Sequence, residues 1–368
     1  LHTDTEADIT HLPPGTFRGL FPDGIRNDFI YKVDQFRLGS TLQYSGFSRH
    51  RLRLGAGVNY TTVDTSEKVN YLTTPAGQII PAGRFADTGE LGIDKALPDV
   101  DRTLVYGFVQ DEWRLSPDWH LTVGARIDHY SDFGTTVNPR LALVWNRTPD
   151  VVFKMLYGRA FRAPSFFDLY GKSPFVLVGN SAIRPETIDM LEFAATKNWS
   201  ERLTAGVNVF AYKTDDLIAI ETGDPLAPDL HAVNRNVPGI RGHGAELEAR
   251  YLPTPEMRLT FNYAYQHSSD TEMGAIAPRQ QAYGEINWAF KPHWQLNARA
   301  KWIFDPSDHA ITDLVVRRTD VADHIDFTLH VNNLFDNRAS EPSIFLPALP
   351  GGIPLPGRNV IAQIRYRF

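Results

Sequence analysis

The last ten residues of the chain, Asn359 to Phe368, alternate between apolar and polar side chains as far as the carboxyl terminus, with Ile361 the only apolar exception on the polar face. Successive side chains of a β-strand point to opposite faces, so this segment predicts a strand with one apolar and one polar face. The apolar row contains Val360, Ala362, Ile364, Tyr366 and Phe368, and the polar row contains Asn359, Gln363, Arg365 and Arg367. A wall between lipid and a water-filled lumen needs such a strand, and a terminal aromatic suits an interfacial girdle. The edge of a soluble β-sandwich is the alternative explanation.

The same period of two recurs in six further segments, and it predicts strands because helices need a period of 3.6. These segments are residues 52–60, 121–128, 203–209, 257–266, 294–302 and 325–332. Charged side chains recur at strand centres on the polar face, as at Glu246, Glu248 and Arg250. A dry core could not bury so many charges without pairing each one, whereas a hydrated lumen can accommodate them.

The composition excludes several classes of protein. The chain has 368 residues, of which 42% are hydrophobic and 22% charged, and no run of about 18 apolar residues predicts a helical membrane span. It contains no cysteine, which excludes disulfides, thiolate metal sites and a cysteine nucleophile. A net charge of -6 gives no basic footprint for nucleic acid.

Short connections rich in Ser, Pro, Asp and Asn alternate with longer ones. The short ones lie near residues 48–50, 116–118, 148–150, 200–201, 253–256 and 291–293, and the longer ones near residues 61–101, 162–186, 213–240 and 335–356. Outer-membrane barrels have short periplasmic turns and longer extracellular loops. The pattern therefore predicts strict alternation of the two kinds of connection and a carboxyl terminus on the periplasmic side.

We count about fifteen strands, the first beginning near Tyr31. Bacterial single-chain barrels have even numbers of strands, so we expect further strands ahead of this part. Residues 1–27 are interpreted as a partial extracellular loop and residues 28–368 as an incomplete barrel. Unpaired sheet edges favour aggregation, so we expect that the 368-residue piece alone does not form a stable monomeric pore.

Several segments resemble the barrel of the TonB-dependent outer-membrane receptor family, in that family's order and at comparable spacing. They are YGFVQDEWRLS (106–116), NPRLALVW (138–145), LYGRAFRAPSFFDLYG (156–171), GNSAIRPETIDMLEFAATKNW (179–199), VNNLFDN (331–337) and the terminal PGRNVIAQIRYRF. Any one of these matches is weak, but the ordered set is specific. The chain is therefore identified as similar to the carboxyl-terminal part of such a barrel.

The resemblance implies an all-β fold, a transmembrane antiparallel β-barrel of the 22-stranded type whose lumen is plugged. It implies a receptor for energy-coupled uptake of a scarce nutrient, a ferric siderophore or a cobalamin-like ligand, in the outer membrane of a Gram-negative bacterium. The family's plug domain and TonB-contacting segment find no match here, so contact with the TonB complex is expected through an amino-terminal part outside this chain. Outer-membrane lipid surrounds such a barrel, and the barrel-assembly machinery is expected to read the terminal strand at Tyr366 and Phe368.

Candidate ligand contacts lie in the segment that contains the FRAP motif. Arg159 and Arg162, near the outer end of a strand, could attract an anionic ferric chelate or could pair with Glu186 or Glu192. Phe166, Phe167 and Tyr170 could stack on a siderophore or a corrin, or could pack against other loops, as could Tyr71, Phe85 and Phe175. Haem receptors of the family carry a His between FRAP and a downstream NPNL box. No His occurs here from residue 161 to 183, so haem is not favoured.

Three other functions are weighed against uptake. A passive porin-like channel would have the same strands without a plug, and a surface or soluble β-rich binding protein would solvate the polar rows. Catalysis is not expected, because no carboxylates or nucleophile–base pair converge, and we expect no resident cofactor. The acidic loop residues Asp215, Asp216, Asp224 and Asp229 could bind calcium, although solvated loop charge explains them as well.

Overall fold

Long antiparallel strands dominate the computed structural model, which describes residues 2–12, 14–15, 24–70, 80, 84–92, 94–173, 177–221, 232–269, 277–305, 308–321, 324–342 and 352–367. The strands are β1 (His2–Leu12), β2 (Ile25–Tyr44), β3 (His50–Val69), β4 (Ala86–Asp87), β5 (Val100–Arg114), β6 (Trp119–Tyr130), β7 (Gly134–Thr148), β8 (Val151–Arg162), β9 (Lys172–Ser173), β10 (Leu177–Val178), β11 (Glu186–Ser200), β12 (Leu203–Asp215), β13 (Leu217–Glu221), β14 (Ala232–Val237), β15 (Arg241–Thr254), β16 (Met257–Ser268), β17 (Gln280–Lys291), β18 (Trp294–Asp305), β19 (His309–Arg318), β20 (Ile325–Asn332), β21 (Ser340–Glu341), β22 (Ile353–Pro354) and β23 (Asn359–Tyr366). The helices are α1 (Thr88–Leu91) and α2 (Phe166–Tyr170). Neither described helix has the length or apolarity to cross a membrane.

The long strands form one antiparallel meander in which each pairs with the next long strand along the chain, from β1 to β23. Together with β4, which pairs with the outer end of β3, they make a 17-stranded sheet. The fifteen long strands from β2 to β23 agree with the count predicted from the sequence. This architecture confirms the all-β barrel-type fold.

The amino-terminal part differs from its interpretation as a loop. Residues 2–12 form β1, which pairs with β2 from the contact of His2 with Asp34 to that of Leu12 with Ile25. Apolar residues are few in this segment, with Ala7 and Ile9 opposite Asp4, Glu6 and Asp8, and the strand is defined by pairing with its neighbour. The division between residues 1–27 and 28–368 stays a prediction, but the first of these ranges contains a strand.

The two faces of the sheet differ in polarity as the period of two predicts. Directly paired residues share a face, and Leu38, Val58 and Val105 pair across β2, β3 and β5 in an apolar row. This face is open: Leu38 is 64% exposed and Ile364 of β23 is 72% exposed. Apolar surface of such extent is covered by lipid in a membrane barrel and would be unusual on a soluble monomer. The apolar rows therefore do not pack against a second sheet or helices in the described structure.

The opposite face carries the charged rows and lines the inside of the wall. Glu285, Arg299 and Asp313 pair directly across β17, β18 and β19, and the Arg299 guanidinium donates to Asp313 at 3.0 Å. Farther along the sheet, Arg126 forms an ion pair with Asp128 at 2.6 Å, and its guanidinium lies 4.0 Å from the centre of the Tyr106 ring. Charges are thus paired or hydrated on this face.

Tryptophan marks the membrane boundary at the short-turn end of the sheet. Six of the seven tryptophans lie within a few residues of short turns, on the outward face. They are Trp113, Trp119, Trp145, Trp199, Trp288 and Trp294, which we call the tryptophan belt. Trp119 and Trp145 stack with their ring centres 5.1 Å apart. Aromatic girdles of this kind lie at the interface between lipid and water.

The short turns lie where the sequence predicts them, but the opposite end of the sheet is less regular. Connections of only three residues join β6 to β7 and β18 to β19 at the outer end. Strict alternation of short and long connections is therefore wrong. Two adjacent antiparallel strands can be joined by a turn of only a few residues, so a connection at the outer end need not be long.

The longer outer connections form a layer of their own. In it, β9, β10, β13 and β14 make a four-stranded sheet in which β10 and β14 pair in parallel. The helix α2 precedes this sheet and follows directly from β8. We call this small sheet and α2 the cap layer.

Candidate ligand-binding mouth

The segment after β8 begins α2 with a complete set of local signals. Ser165 is the N-cap: its hydroxyl accepts a hydrogen bond from the Asp168 amide at 3.0 Å, and the Asp168 carboxylate accepts one from the Ser165 amide at 2.8 Å. This reciprocal capping box ends the strand and starts the helix. Within α2, Leu169 is buried and Phe167 is exposed, while Phe166 and Tyr170 are half-buried. Four predicted contacts, Arg162 among them, thus lie together at the outer mouth.

Arg102, at the outer end of β5, holds α2 against the barrel wall. Its guanidinium pairs with Asp132 at 2.6 Å and donates to the Pro164 carbonyl at 2.9 Å. It also lies 4.4 Å from the centre of the Phe166 ring and 5.2 Å from that of Phe133, within cation–π distance. Sequence analysis did not single out Arg102. The signal that could have found it is the one used for Arg162, an arginine at the outer end of a strand.

Arg162 lies on the inner face and makes a bidentate ion pair with Glu186. Its Nε and Nη2 donate to the two carboxylate oxygens at 2.7 and 2.8 Å. Glu186 also accepts from the Ile218 amide at 2.7 Å, so the pair ties β8 to the start of β13. Asp168 lies 3.5 Å from Arg162. Pairing with Glu186 was one of the two predicted alternatives, and half of the Arg162 side chain remains exposed beside it.

Arg159 lies on the opposite face from Arg162 and does not converge with it. Arg159 pairs across the sheet with Asp189, in the same outward row as Tyr157 and Leu191. The Arg159 guanidinium and the Tyr157 hydroxyl both donate to the Asp189 carboxylate, at 2.7 Å each. The structure therefore brings Arg162, Phe166, Phe167 and Tyr170 together and leaves Arg159 outside the mouth.

Asparagine side chains link the loops of the cap layer. Asn234, which is 2% exposed, donates to the Asp168 carbonyl at 3.3 Å, and Asn180 donates to the Asn234 carbonyl at 3.1 Å. Asn236 exchanges two hydrogen bonds with the backbone of Arg184, at 2.8 and 2.9 Å. An amide side chain can donate and accept at once. Each asparagine therefore satisfies backbone groups of a neighbouring segment that have no partner in a regular sheet.

The two predicted calcium ligands that the structure describes are paired with cations of the protein itself. Asp215 pairs with Lys213 at 2.7 Å, and Asp216 pairs with Arg184. This partner lowers the pKa of Asp216, chiefly through the hydrogen bond from Arg184. Asp224 and Asp229 lie outside the described residues, as do Tyr71 and Phe175. Within the described part of the chain, no group of three or more His, Cys, Asp or Glu side chains could hold a metal ion.

A buried carboxylate, Glu67, anchors a further outer segment. Glu67 lies near the outer end of the twenty-residue β3, above the nine to eleven residues that a spanning strand needs. It accepts hydrogen bonds from the Asn27 side chain and the Ala96 amide. Burial raises the pKa of Glu67, against the lowering effect of these two donors. Lys172 of β9 donates its amide to the Ala96 carbonyl at 2.6 Å, so this anchor reaches the cap layer.

A polar recess of about 580 Å³ lies lower on the inner wall, between β8 and β18. Its charged lining residues are Lys154, Glu246, Glu248 and Lys301. Although it is of the size of a small-molecule site, it is separate from the mouth residues of α2. At the end of the chain, Tyr366 lies in the outward row of β23 and is 58% exposed, and Phe368 lies outside the described residues.

Comparisons with known proteins agree with this geometry. Residues 3–334 match the family model described as TonB dependent receptor-like, beta-barrel. The iron-regulated outer membrane virulence protein of Vibrio cholerae serotype O1 is 28% identical over 196 residues, which cover 49% of this chain and 29% of that protein. The vitamin B12 transporter BtuB of the same species is 28% identical over 290 residues, covering 73% of this chain and 43% of the transporter.

Solved structures of receptors have the same fold. A variant of the ferric enterobactin receptor PfeA from Pseudomonas aeruginosa gives a TM-score of 0.71 at 18% identity, covering 100% of this chain and 58% of the receptor. The siderophore receptor PirA from Acinetobacter baumannii gives a TM-score of 0.72 at 14% identity, covering 100% of this chain and 59% of the receptor. The chain spans less than half the length of the two curated relatives above.

Proposed function

Because this chain belongs to the TonB-dependent receptor family of outer-membrane β-barrels, we propose that the protein carrying it takes up a scarce nutrient across the outer membrane. Members of this family are receptors and transporters, not enzymes. The observation that carries the proposal is the two-faced meander, apolar toward lipid and charged toward the lumen, whose longer outer connections form the cap layer. A passive porin-like channel accounts for the meander but gives no role to an ordered mouth.

The proposed ligand is a ferric siderophore. The segment at the mouth presents the half-exposed Arg162 guanidinium, 3.5 Å from Asp168 of α2, and the exposed Phe167 ring of the same helix. A cation attracts an anionic ferric chelate, and an aromatic face stacks on its rings. Phe166 contributes less to the ligand surface, because Arg102 covers its ring. We therefore assign ligand contact to Arg162, Phe167 and Tyr170, and support of the mouth to Phe166.

Cobalamin is the second candidate, because the vitamin B12 transporters align over a larger share of this chain than the iron-regulated protein does. Its corrin would use the same aromatic side chains and would depend less on Arg162. Energy from the TonB complex and insertion through the barrel-assembly machinery, read at Tyr366 and Phe368, are further parts of the proposal.

Growth rescue tests the proposal. The complete gene carrying this barrel is expressed in a strain that lacks its own receptors, and growth is measured on single ferric siderophores under iron limitation and on cobalamin. We expect rescue by one ligand at submicromolar concentration and none in a matched strain without TonB. Equal rescue without TonB would favour the passive channel, and no rescue by any member of the panel would contradict nutrient uptake.

A further inference from the structure

Three tryptophans of the belt each have a cationic side chain against the ring. The guanidinium of Arg147 lies 5.5 Å from the ring centre of Trp145, and that of Arg318 lies 5.0 Å from the ring centre of Trp294. The Lys197 ammonium lies 5.3 Å from the ring centre of Trp199, the last of the three. All three cations are on the outward face and at the short-turn end of their strands. They therefore lie at the depth where lipid headgroups meet the barrel wall.

Among the described residues, none of these three cations lies within ion-pair distance of a carboxylate, and Arg318 differs in this from its inward-facing neighbour. Arg317 points inward and pairs with Asp326 at 3.1 Å, whereas Arg318, the next residue, points outward. The Arg318 Nε is buried and has no hydrogen-bond partner among the described residues. Its exposed surroundings are apolar, since it pairs across the sheet with Trp294 and Phe327. No described carboxylate or other acceptor fills this position, and because an isolated cation beside lipid is costly, an anionic lipid headgroup fits it.

Arg147 and Lys197 form a second such place, on β7 and β11. In the described structure neither lies within ion-pair distance of a carboxylate: Asp150 in the adjoining turn accepts from Thr148 at 2.7 Å and acts on Lys197 only through a longer-range electrostatic interaction. Val151 of β8 pairs with Thr148 on one side and with Lys197 on the other. The two cations therefore project from strands about 10 Å apart, two strand spacings. Side chains of this length can close on one phosphate between them.

The absence of acidic partners is not general on the outward face. Near the opposite ends of β8 and β12, Arg159 pairs with Asp189 at 2.7 Å and Lys213 pairs with Asp215 at 2.7 Å. Carboxylates of the barrel thus neutralise these outer cations, whereas the cations of the tryptophan belt form no ion pair among the described residues. We propose that Arg147 with Lys197, and Arg318 separately, bind the phosphate groups of phospholipids in the periplasmic leaflet and prefer headgroups with a net negative charge.

Lipid retention by the purified full-length receptor tests this proposal. The receptor is transferred to detergent, and binding of dioleoylphosphatidylglycerol and dioleoylphosphatidylcholine is measured by native mass spectrometry. The test variant is Arg147→Gln with Lys197→Gln. The matched control is Arg250→Gln with Arg258→Gln, which removes two exposed arginines from the inward face near the same end. Only variants whose gel mobility changes on heating, as expected of a folded barrel, are compared.

We expect the native receptor and the control to prefer phosphatidylglycerol and the test variant to lose that preference, by roughly fivefold for each cation removed. The variant Arg147→Lys with Lys197→Arg is expected to keep most of the preference for phosphatidylglycerol. Arg318→Gln is expected to retain one phosphatidylglycerol molecule fewer than the native receptor. Equal retention in the test and control variants would overturn the proposal. So would displacement of the lipid by inorganic phosphate at millimolar concentration, since that would assign the sites to a free anion.

Discussion

The guanidinium of Arg102, on β5, lies 4.4 Å from the centre of the Phe166 ring in α2, residues that are 64 positions apart in the sequence. The same guanidinium pairs with Asp132, whose side chain is only 4% exposed. One arginine therefore fixes the position of the FRAP segment relative to β5 and to the connection between β6 and β7. Because three elements meet at this side chain, its removal should release the segment without unfolding the barrel.

Arg102→Ala should lower the free energy of local opening of residues 163–171 by about 3 kcal/mol, because Asp132 would keep a buried charge without its partner. Hydrogen exchange of these amides in the intact receptor measures the effect. Arg159→Ala is the control, since its pair with Asp189 is partly exposed and should contribute less than about 1 kcal/mol. Arg102→Lys should fall between the two, because lysine keeps the charge and loses the planar fork. Unchanged exchange in Arg102→Ala would refute the role of Arg102.

Arg162→Gln should weaken binding of the ferric chelate that rescues growth by about tenfold, through the loss of a charge-assisted contact. Arg159→Gln should leave affinity within about twofold, because that side chain points away from the mouth. Uptake of radioactive iron at limiting chelate concentration compares the two. If the two variants lose affinity equally, the effect is one of general surface charge and Arg162 is not a contact.

Asn234→Ala should open the cap layer, since the Asp168 carbonyl would lose a buried donor. The expected cost is about 1–2 kcal/mol of local stability, seen as faster amide exchange in residues 177–184. Asn198→Ala, which removes an exposed hydrogen bond to Thr204 at the opposite end of the sheet, serves as the control. Equal exchange in both variants would show that Asn234 does not hold the layer together.

The alternation of apolar and polar residues and the composition of the turns predict the strands of this barrel. This is possible because the sequence of each strand determines which side chains face lipid and which face the lumen. Arg159 and Arg162 were both predicted as ligand contacts, although the same rule separates them: residues three apart on a strand point to opposite faces, so the two do not share a site. The strand β1 was not predicted in this way, because its alternation is short, with only Ala7 and Ile9 apolar opposite Asp4, Glu6 and Asp8, and the strand pairs with β2 along its length. The contacts of Arg102 with Phe166 and of Glu67 with Ala96 depend on how separate loops fold over the mouth, which local pattern does not encode.

Acidification should release the connection between β12 and β13. Arg184 holds the pKa of Asp216 below its ordinary value, so the ion pair stabilises the folded loop at pH values above the ordinary aspartate range. That contribution is lost as the pH falls through the lowered pKa, and the loop should open below about pH 4. Amide exchange of Leu217, corrected for the intrinsic pH dependence, measures the opening, because the Ile218 amide itself donates to Glu186. Asp216→Asn should be open already at pH 7 and show no further change, and a pH-dependent opening that persists in this variant would rule out Asp216 as its origin.

Gly57 lets an aromatic ring lie flat against the inner wall. A Cβ at this position would lie 2.6 Å from the Tyr106 hydroxyl and 2.7 Å from the Leu38 carbonyl oxygen, closer than carbon atoms approach. Gly57→Ala should therefore displace Tyr106 from its place against Arg126 and destabilise the barrel by about 1–3 kcal/mol.

Gly158 offers the matched control, because a Cβ there would meet no atom within 4 Å on the same inner face. Gly158→Ala should be neutral or stabilising by up to about 1 kcal/mol, through reduced freedom of the unfolded chain. Urea titration of the full receptor in micelles, followed by heat-modifiable gel mobility, compares the two variants. Should Gly57→Ala prove as stable as Gly158→Ala, Tyr106 must have an alternative position of equal energy, and the inner wall would tolerate a side chain where the structure leaves no space for one.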